Sequence, residues 1–323
     1  MFWQKILVLS LGEEKVNIME KNILNRRIIS YLVIVYGCTL IGGILSLVLP
    51  EPYNKTAKSV LITCFSLFPI IATFLTRKIT KDKTKLNIKP NFFKYWKIYL
   101  MSAFLPGVAI LFGAILYFFI FPHDLDLSGK YLIANYAQYG ISSNIHLTIA
   151  KVIKDGIILI FISPLVFPVV FLAFGEEIGW RGYLLPLFLQ KMGQRKAVLL
   201  NGSLWGLGHS PLIYLGFNYG FGYWGAPITG IIMMTFVGTV VGVLLSYVTL
   251  KSHSVIPACF VHGSLNVIGE TPIIVAASSA CCLLGPNPTG LIGMSGLIVW
   301  AFVCLIKQKK MSVIQIQTNL HLL

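Results

Sequence analysis

The feature that most constrains this chain is a series of apolar runs, each close to the length that crosses a bilayer. A hydrocarbon core of about 30 Å takes about 20 residues of helix. Eight segments meet or approach that length: 29–49, 59–76, 98–121, 156–175, 197–216, 226–250, 254–270 and 283–306. In lipid a backbone must satisfy its own polar groups, so such segments form helices. The chain is therefore expected to be all-α, a polytopic transmembrane helical bundle of about eight spans. The 254–270 run is short and is expected to be tilted or sheltered by its neighbours. A ninth patch, 183–190, follows Arg181 too closely to span alone and is expected to continue the fourth helix or lie at the interface.

Charge sorts into the links. Only 11% of the residues are charged, with an excess of basic groups giving a net +15. A soluble domain carries roughly twice that share of charge. The 77–97 link holds Arg77, Lys78, Lys81, Lys83, Lys85, Lys89, Lys94 and Lys97 against Asp82. Lys191, Arg195 and Lys196 follow the fourth run, Lys251 the sixth, and Lys307, Lys309 and Lys310 the eighth. The alternate links are poor in basic groups: 122–150 has Asp124, Asp126 and Lys130, and 217–225 has no charge. Lys151 and Lys154 depart from the pattern. This distribution points to membrane lipids as partners and excludes a nucleic-acid footprint. By the positive-inside rule both termini and the 77–97 link lie in the cytoplasm of a multi-pass cell-membrane protein.

The chain divides accordingly into a cytoplasmic N-terminal segment 1–28, the first three spans and their loops 29–150, a core 151–306 and a cytoplasmic tail 307–323. The N-terminal stretch has no small-residue cleavage site and reads as a surface extension or the product of an early start codon. Cys38, Cys64, Cys259, Cys281, Cys282 and Cys304 lie in apolar runs without a CxxC pair, as small hydrophobes do. The run 216–227 reads as an interfacial turn with Tyr219, Tyr223 and Trp224 at headgroup level.

Ionisable groups inside spans are costly and mark function. Glu176-Glu177-Ile-Gly-Trp-Arg181 places Glu177 and Arg181 four apart on a helix, where they pair. Glu176 is then left one position round, available as a general base. Trp205-Gly-Leu-Gly-His209 and His262-Gly-Ser-Leu-Asn266 each put two side chains on one helix face. Helical rise puts His209 about 18 Å and His262 about 12–14 Å along their spans, compatible with one cytoplasm-facing cavity. Glu270 is expected at the interface. No serine or cysteine is paired with a base, so water is the expected nucleophile, with Glu176 taking its proton and His209 holding it. His262 and Asn266 supply donors for an oxyanion. Glu176, His209 and His262 are also a zinc ligand set, although no HExxH is present, and both versions stay open.

Glu-Glu-x-x-x-Arg, aromatic-x-x-x-His and His-x-x-x-Asn on successive membrane segments resemble the CAAX prenyl protease and bacteriocin-processing (CPBP, Abi) family of intramembrane endopeptidases. The resemblance covers roughly residues 155–270. It implies Glu176 as catalytic base, Glu177 and Arg181 as a supporting pair, His209 as the water or metal partner, and His262 and Asn266 as oxyanion donors. Trp205 stands where the family commonly has Phe and is expected to preserve an apolar wall. The implied substrate is a peptide or protein, whether prenylated or a leader peptide. A non-proteolytic immunity or scaffold protein and a proton-coupled transporter are the competing classes. No inverted repeat supports the transporter.

Overall fold

The computed structural model describes residues 2–51, 53–130, 133–134, 147–277 and 280–308, with residues 2–18 described through their backbone alone. Lys309, Lys310 and the rest of the expected tail lie outside the described residues, as does most of the 131–146 link. The described chain is helical: α1 (Phe2–Val48), α2 (Tyr53–Phe65), α3 (Phe68–Ile79), α4 (Phe92–Ile120), α5 (Ile149–Ile162), α6 (Phe167–Glu177), α7 (Leu185–Lys191), α8 (Gln194–Leu207), α9 (Ser210–Tyr214), α10 (Ile228–Ser252), α11 (Ile256–Ile268) and α12 (Ser295–Lys307). A wide turn over Ile178–Leu184 joins α6 to α7. No strand occurs among the described residues; a lone bridge pairs Leu125 with Ala276.

Four stretches are long and apolar enough to cross a membrane: Met19–Val48, Phe92–Ile120, Ile228–Ser252 and Ile256–Val275. Two bent pairs, Tyr53–Phe65 with Phe68–Ile79 and Ile149–Leu165 with Phe167–Lys191, turn by 64° and 58° and bring the number to six if each is one span. Large apolar side chains such as Phe74, Phe112, Phe119, Phe171 and Phe302 point outward, as they must when the solvent is lipid. The protein is a polytopic transmembrane helical bundle.

The differences from the expected spans have local causes. The 197–216 run divides between α8 and α9 because Gly208 and His209 form a turn and Pro211, early in α9, has no N–H to continue a helix. The 283–306 run is helical only from Ser295, because Gly285-Pro-Asn-Pro-Thr-Gly290 precedes it. Helix α1 runs without a break from Phe2 through the first apolar run to Val48. The 183–190 patch continues the fourth helix as expected, and Tyr183, Leu184, Leu185, Leu187, Phe188 and Leu189 are buried there. Tyr219 in this turn is buried against protein, and its hydroxyl donates to the Thr289 carbonyl at 2.8 Å. Trp224 is exposed.

Small residues set the closest approach in the bundle. A Cβ on Gly238 would lie 2.4 Å from Gly206 Cα, and one on Gly242 2.4 Å from Gly202 Cα. Backbone of α8 therefore touches backbone of α10, the close packing that small residues allow between membrane helices. At the basic end a second device ties the bundle. Asp82 accepts from the Thr84 hydroxyl at 2.6 Å and the Thr84 N–H at 2.9 Å, accepts from Tyr183 at 3.1 Å, and forms an ion pair with Arg27 at 3.2 Å. Burial pushes this carboxyl up, but the Thr84 bonds, the Arg27 charge and the Tyr183 hydroxyl outweigh it and hold it below the ordinary carboxylate range.

Three substitutions test these contacts. Gly238→Ala lowers stability by about 2 kcal/mol or more, read as thermal unfolding in detergent. Gly37→Ala, where a Cβ meets nothing within 4 Å, leaves stability unchanged or raised by about 1 kcal/mol, the helix-propensity difference. Asp82→Asn destabilises at neutral pH by roughly 2–3 kcal/mol. Because the folded-state carboxyl titrates lower than the unfolded one, its contribution is present above the unfolded value and vanishes as pH falls through the folded one. The gap between variant and native unfolding temperatures should accordingly close below about pH 4.

Candidate functional site

The site is built where α6 meets the wide turn. Leu185 N–H reaches back to the Trp180 carbonyl, a widened helical turn of the kind that often marks functional positions. Glu176 and Glu177 are the last residues of α6, and Arg181 lies within the turn. The expected exit of the fourth span at Glu176 does not occur. The helix path runs on to Lys191, and Glu176 therefore lies within the bundle with 3% of its surface exposed, while Glu177 and Arg181 show none.

Arg181 Nη1 donates to Glu177 Oε1 at 3.1 Å, as the spacing predicts. The same oxygen meets His262 Nδ1 at 2.9 Å. The Arg181 guanidinium lies over the Trp205 ring, 4.7 Å from its centre, a cation–π contact that partly replaces lost hydration. Glu176 is held separately. Its Oε1 accepts from Ser66 at 2.9 Å and its Oε2 from Trp205 Nε1 at 2.9 Å. Trp205 is thus more than an apolar wall: its N–H orients Glu176 and its face covers Arg181, and a phenyl ring supplies no such donor.

His209 sits in the break after α8, where its Nδ1 lies 2.9 Å from the Trp205 carbonyl and its ring packs 4.7 Å from Phe65 and 5.4 Å from Trp205. The break, rather than a position along a continuous span, is what places this imidazole. Ser210 is half-buried and bonds the Leu207 carbonyl, and it does not line the cavity. His262 packs 5.2 Å from Trp205, and its Nε2 stands 4.0 Å from Glu176 Oε1, too far for a direct bond. Asn266, one turn on, is exposed on the same helix. The Asn201 amide donates to the Trp180 carbonyl at 3.0 Å, securing the wide turn to α8.

These groups line one cavity of about 300 Å³. Glu176, Trp205, His209, His262 and Asn266 form its polar wall, while Phe65, Leu212, Met234, Val237 and Leu265 form the apolar one. All three sequence motifs thus converge. Glu177 and Arg181 lie behind the wall. Glu270, expected at the interface, is exposed on the rim of this same cavity, with its Oε2 accepting from Asn287 at 2.9 Å. It falls there because it follows Asn266 by one turn of the same helical path. Ser66 was not singled out from the sequence; a lone serine in an apolar run carries no signal until a carboxylate is found opposite it.

As a metal site the set does not fit as arranged. Among the described residues no three His, Cys, Asp or Glu side chains are grouped to hold an ion. Both Glu176 oxygens already accept hydrogen bonds, from Ser66 and Trp205.

Residues 158–268 match the family model described as Type II CAAX prenyl endopeptidase Rce1-like. Over that segment the chain is similar to the Rce1-like family. Every residue of the three motifs lies inside the matched segment, and the first three expected spans lie outside it. A curated relative, CAAX prenyl protease 2 of Methanococcus maripaludis, is 29% identical over 108 residues, which is 33% of this chain and 40% of that protein. The chain therefore matches less than half the length of that relative.

The buried cluster makes a direct prediction. Glu177→Gln removes the charge opposite a fully buried guanidinium and should cost roughly 3–5 kcal/mol. The double change Glu177→Gln with Arg181→Met should recover part of that loss. Thermal unfolding in one detergent checks both.

Proposed function

We propose that this chain is an intramembrane endopeptidase that hydrolyses a peptide bond with water activated by Glu176. The observation that carries this reading is the meeting of Glu176, His209, His262 and Asn266 on one cavity within an apolar bundle. The match of residues 158–268 to the Rce1-like family model supports it.

In this reading Ser66 and Trp205 aim the Glu176 carboxylate, which takes a proton from a water held against His209. The hydroxide oxygen bonds to the scissile carbonyl carbon, and the carbonyl π pair moves onto oxygen. That oxyanion accepts from the Asn266 amide, and from His262 Nε2 when the ring carries both protons, since Glu177 engages Nδ1. The 4.0 Å gap between His262 Nε2 and Glu176 Oε1 is of the size that one hydrogen-bonded oxygen bridges. Collapse of the intermediate breaks the C–N bond, and the leaving amine takes the proton from Glu176. Arg181 stays behind Trp205 and acts by positioning Glu177. The substrate is a peptide or protein segment. A lipid-bearing chain and a leader peptide both suit a cavity with one apolar wall.

Glu176→Gln should reduce cleavage of a reporter substrate by at least about a thousandfold while leaving the protein folded. Trp205→Phe, which keeps a ring but loses the N–H, should reduce it by roughly tenfold. Full activity in Glu176→Gln would refute the proposal. Protection of cells that survives loss of both Glu176 and His209 would instead indicate a binding role without proteolysis. Zinc on Glu176, His209 and His262 is tested by metal analysis of the purified protein: stoichiometric zinc lost in His209→Ala would replace the water-only version.

A further inference from the structure

The two ends of the bundle differ sharply in charge. Arg26 and Arg27 near the start of the first span, Arg77 and Lys78 at the end of α3, Lys94 and Lys97 at the start of α4, and Lys191 at the end of α7 lie at one end. Arg195 and Lys196 at the start of α8, Lys251 at the end of α10 and Lys307 at the end of α12 join them. Contacts tie these ends into one face. Lys191 Nζ donates to Asn25 at 2.7 Å, Arg27 pairs with Asp82 at 3.2 Å, the Asn91 amide donates to the Ser252 carbonyl at 3.3 Å, and Val255 N–H donates to the Asn87 carbonyl at 2.8 Å.

The other end is closed by different loops. Asp126 N–H donates to the Val275 carbonyl at 2.9 Å, Ala277 N–H to the Asp124 carbonyl at 2.7 Å, and Tyr219 to Thr289 at 2.8 Å. Its basic residues are Lys55, Lys58, Lys130, Lys151 and Lys154, and Lys55 and Lys151 are partnered by Glu51 and Asp155. The positive-inside rule assigns the first end to the cytoplasm.

The cavity belongs to the second end. Glu176 is about 22 Å of helix from Lys191, and His209 about 22 Å from the start of α8, at 1.5 Å per residue. From there the lining continues to Phe217, Asn218, Glu270, Pro288 and Thr289, all in the loops or helix ends away from the basic face. No lysine or arginine lines it. The cavity therefore lies at the end opposite the basic face. Placing Glu176 at a span exit put it beside the basic links, whereas the helix path runs a further 15 residues beyond it to Lys191.

We infer that the cavity opens toward the extracytoplasmic side and that its substrate is a polypeptide presented there, an exported peptide rather than a cytoplasmic chain. The word substrate rests on the endopeptidase reading; the side does not.

The side is read without activity. In the full chain with its natural cysteines changed to alanine, Phe217→Cys on the rim and Lys85→Cys on the basic face are exposed to a membrane-impermeant maleimide on intact cells. Phe217→Cys should label at once and Lys85→Cys only after permeabilisation. The reverse pattern overturns the inference. If the cysteine-free chain does not accumulate, reporters fused after residue 308 of the native sequence decide the same point: green fluorescence with inactive alkaline phosphatase is expected, and active phosphatase overturns it. Two membrane-anchored reporters, with one cleavable segment on either side of the membrane, then address the substrate. The outward reporter should be cut at least tenfold faster, in a Glu176-dependent way. Cutting of only the inward one overturns the inference. If neither is cut while Phe217→Cys labels from outside, the side stands and the endopeptidase reading fails.

Discussion

The structure depends on neutralising Arg181 and Glu177 in a place where neither meets solvent. A guanidinium and a carboxylate with no exposed surface in a lipid-facing bundle carry desolvation costs of several kcal/mol each. Those costs are offset by a pattern of contacts drawn from four elements. Glu177 sits at the end of α6, Arg181 in the wide turn, the Trp205 face on α8 and the His262 imidazole on α11. Removing Glu177 or Arg181 leaves the other charge without its complement. The cluster therefore fixes the relative positions of these helices, and with them the wall on which Glu176 stands.

Trp205 connects this structural cluster to the chemistry. Its ring covers Arg181 and its N–H reaches Glu176, so one side chain holds the buried charge pair and the cavity-lining carboxylate in register. Close helix contact makes this geometry attainable. Gly202 and Gly206 let α8 rest on the backbone of α10, bringing the indole near the charged residues. At the basic end, Asp82 gathers Arg27, Thr84 and Tyr183, securing the wide turn from its far side. The cavity is in this sense a by-product of two polar anchors set in an otherwise apolar body.

A cavity with a polar wall facing an apolar one suits a reaction that needs both a restrained water and an extended, largely apolar peptide. Backbone groups of such a peptide would lose their hydration on entry, and the side chains of the polar wall are what can replace it. The charge asymmetry of the two bundle ends adds direction to this arrangement, because a membrane protein's orientation follows its basic links rather than its active centre.

Much of this was legible in the residues. Apolar runs of spanning length required helices, because lipid offers a backbone no other partner, and the i, i+4 spacing of Glu177 and Arg181 required their pairing. The three polar motifs identified the wall of the site and the segment that matches the Rce1-like family. Other features came only from the fold. Ser66 and the Trp205 N–H became partners of Glu176 through contacts across 110 and 29 residues of sequence, which no local pattern encodes. Glu270 joined the rim through helical continuity past Asn266. The break at His209 and the continuation of the helix past Glu176 set the depth of the site, and depth depends on where helices bend and end rather than on their hydropathy. The sequence by itself determined which groups must be buried and paired, since that follows from the cost of charge in lipid. Only the tertiary structure decided at which end of the bundle their cavity lies, since that follows from the packing of helices whose ends lie far apart along the chain.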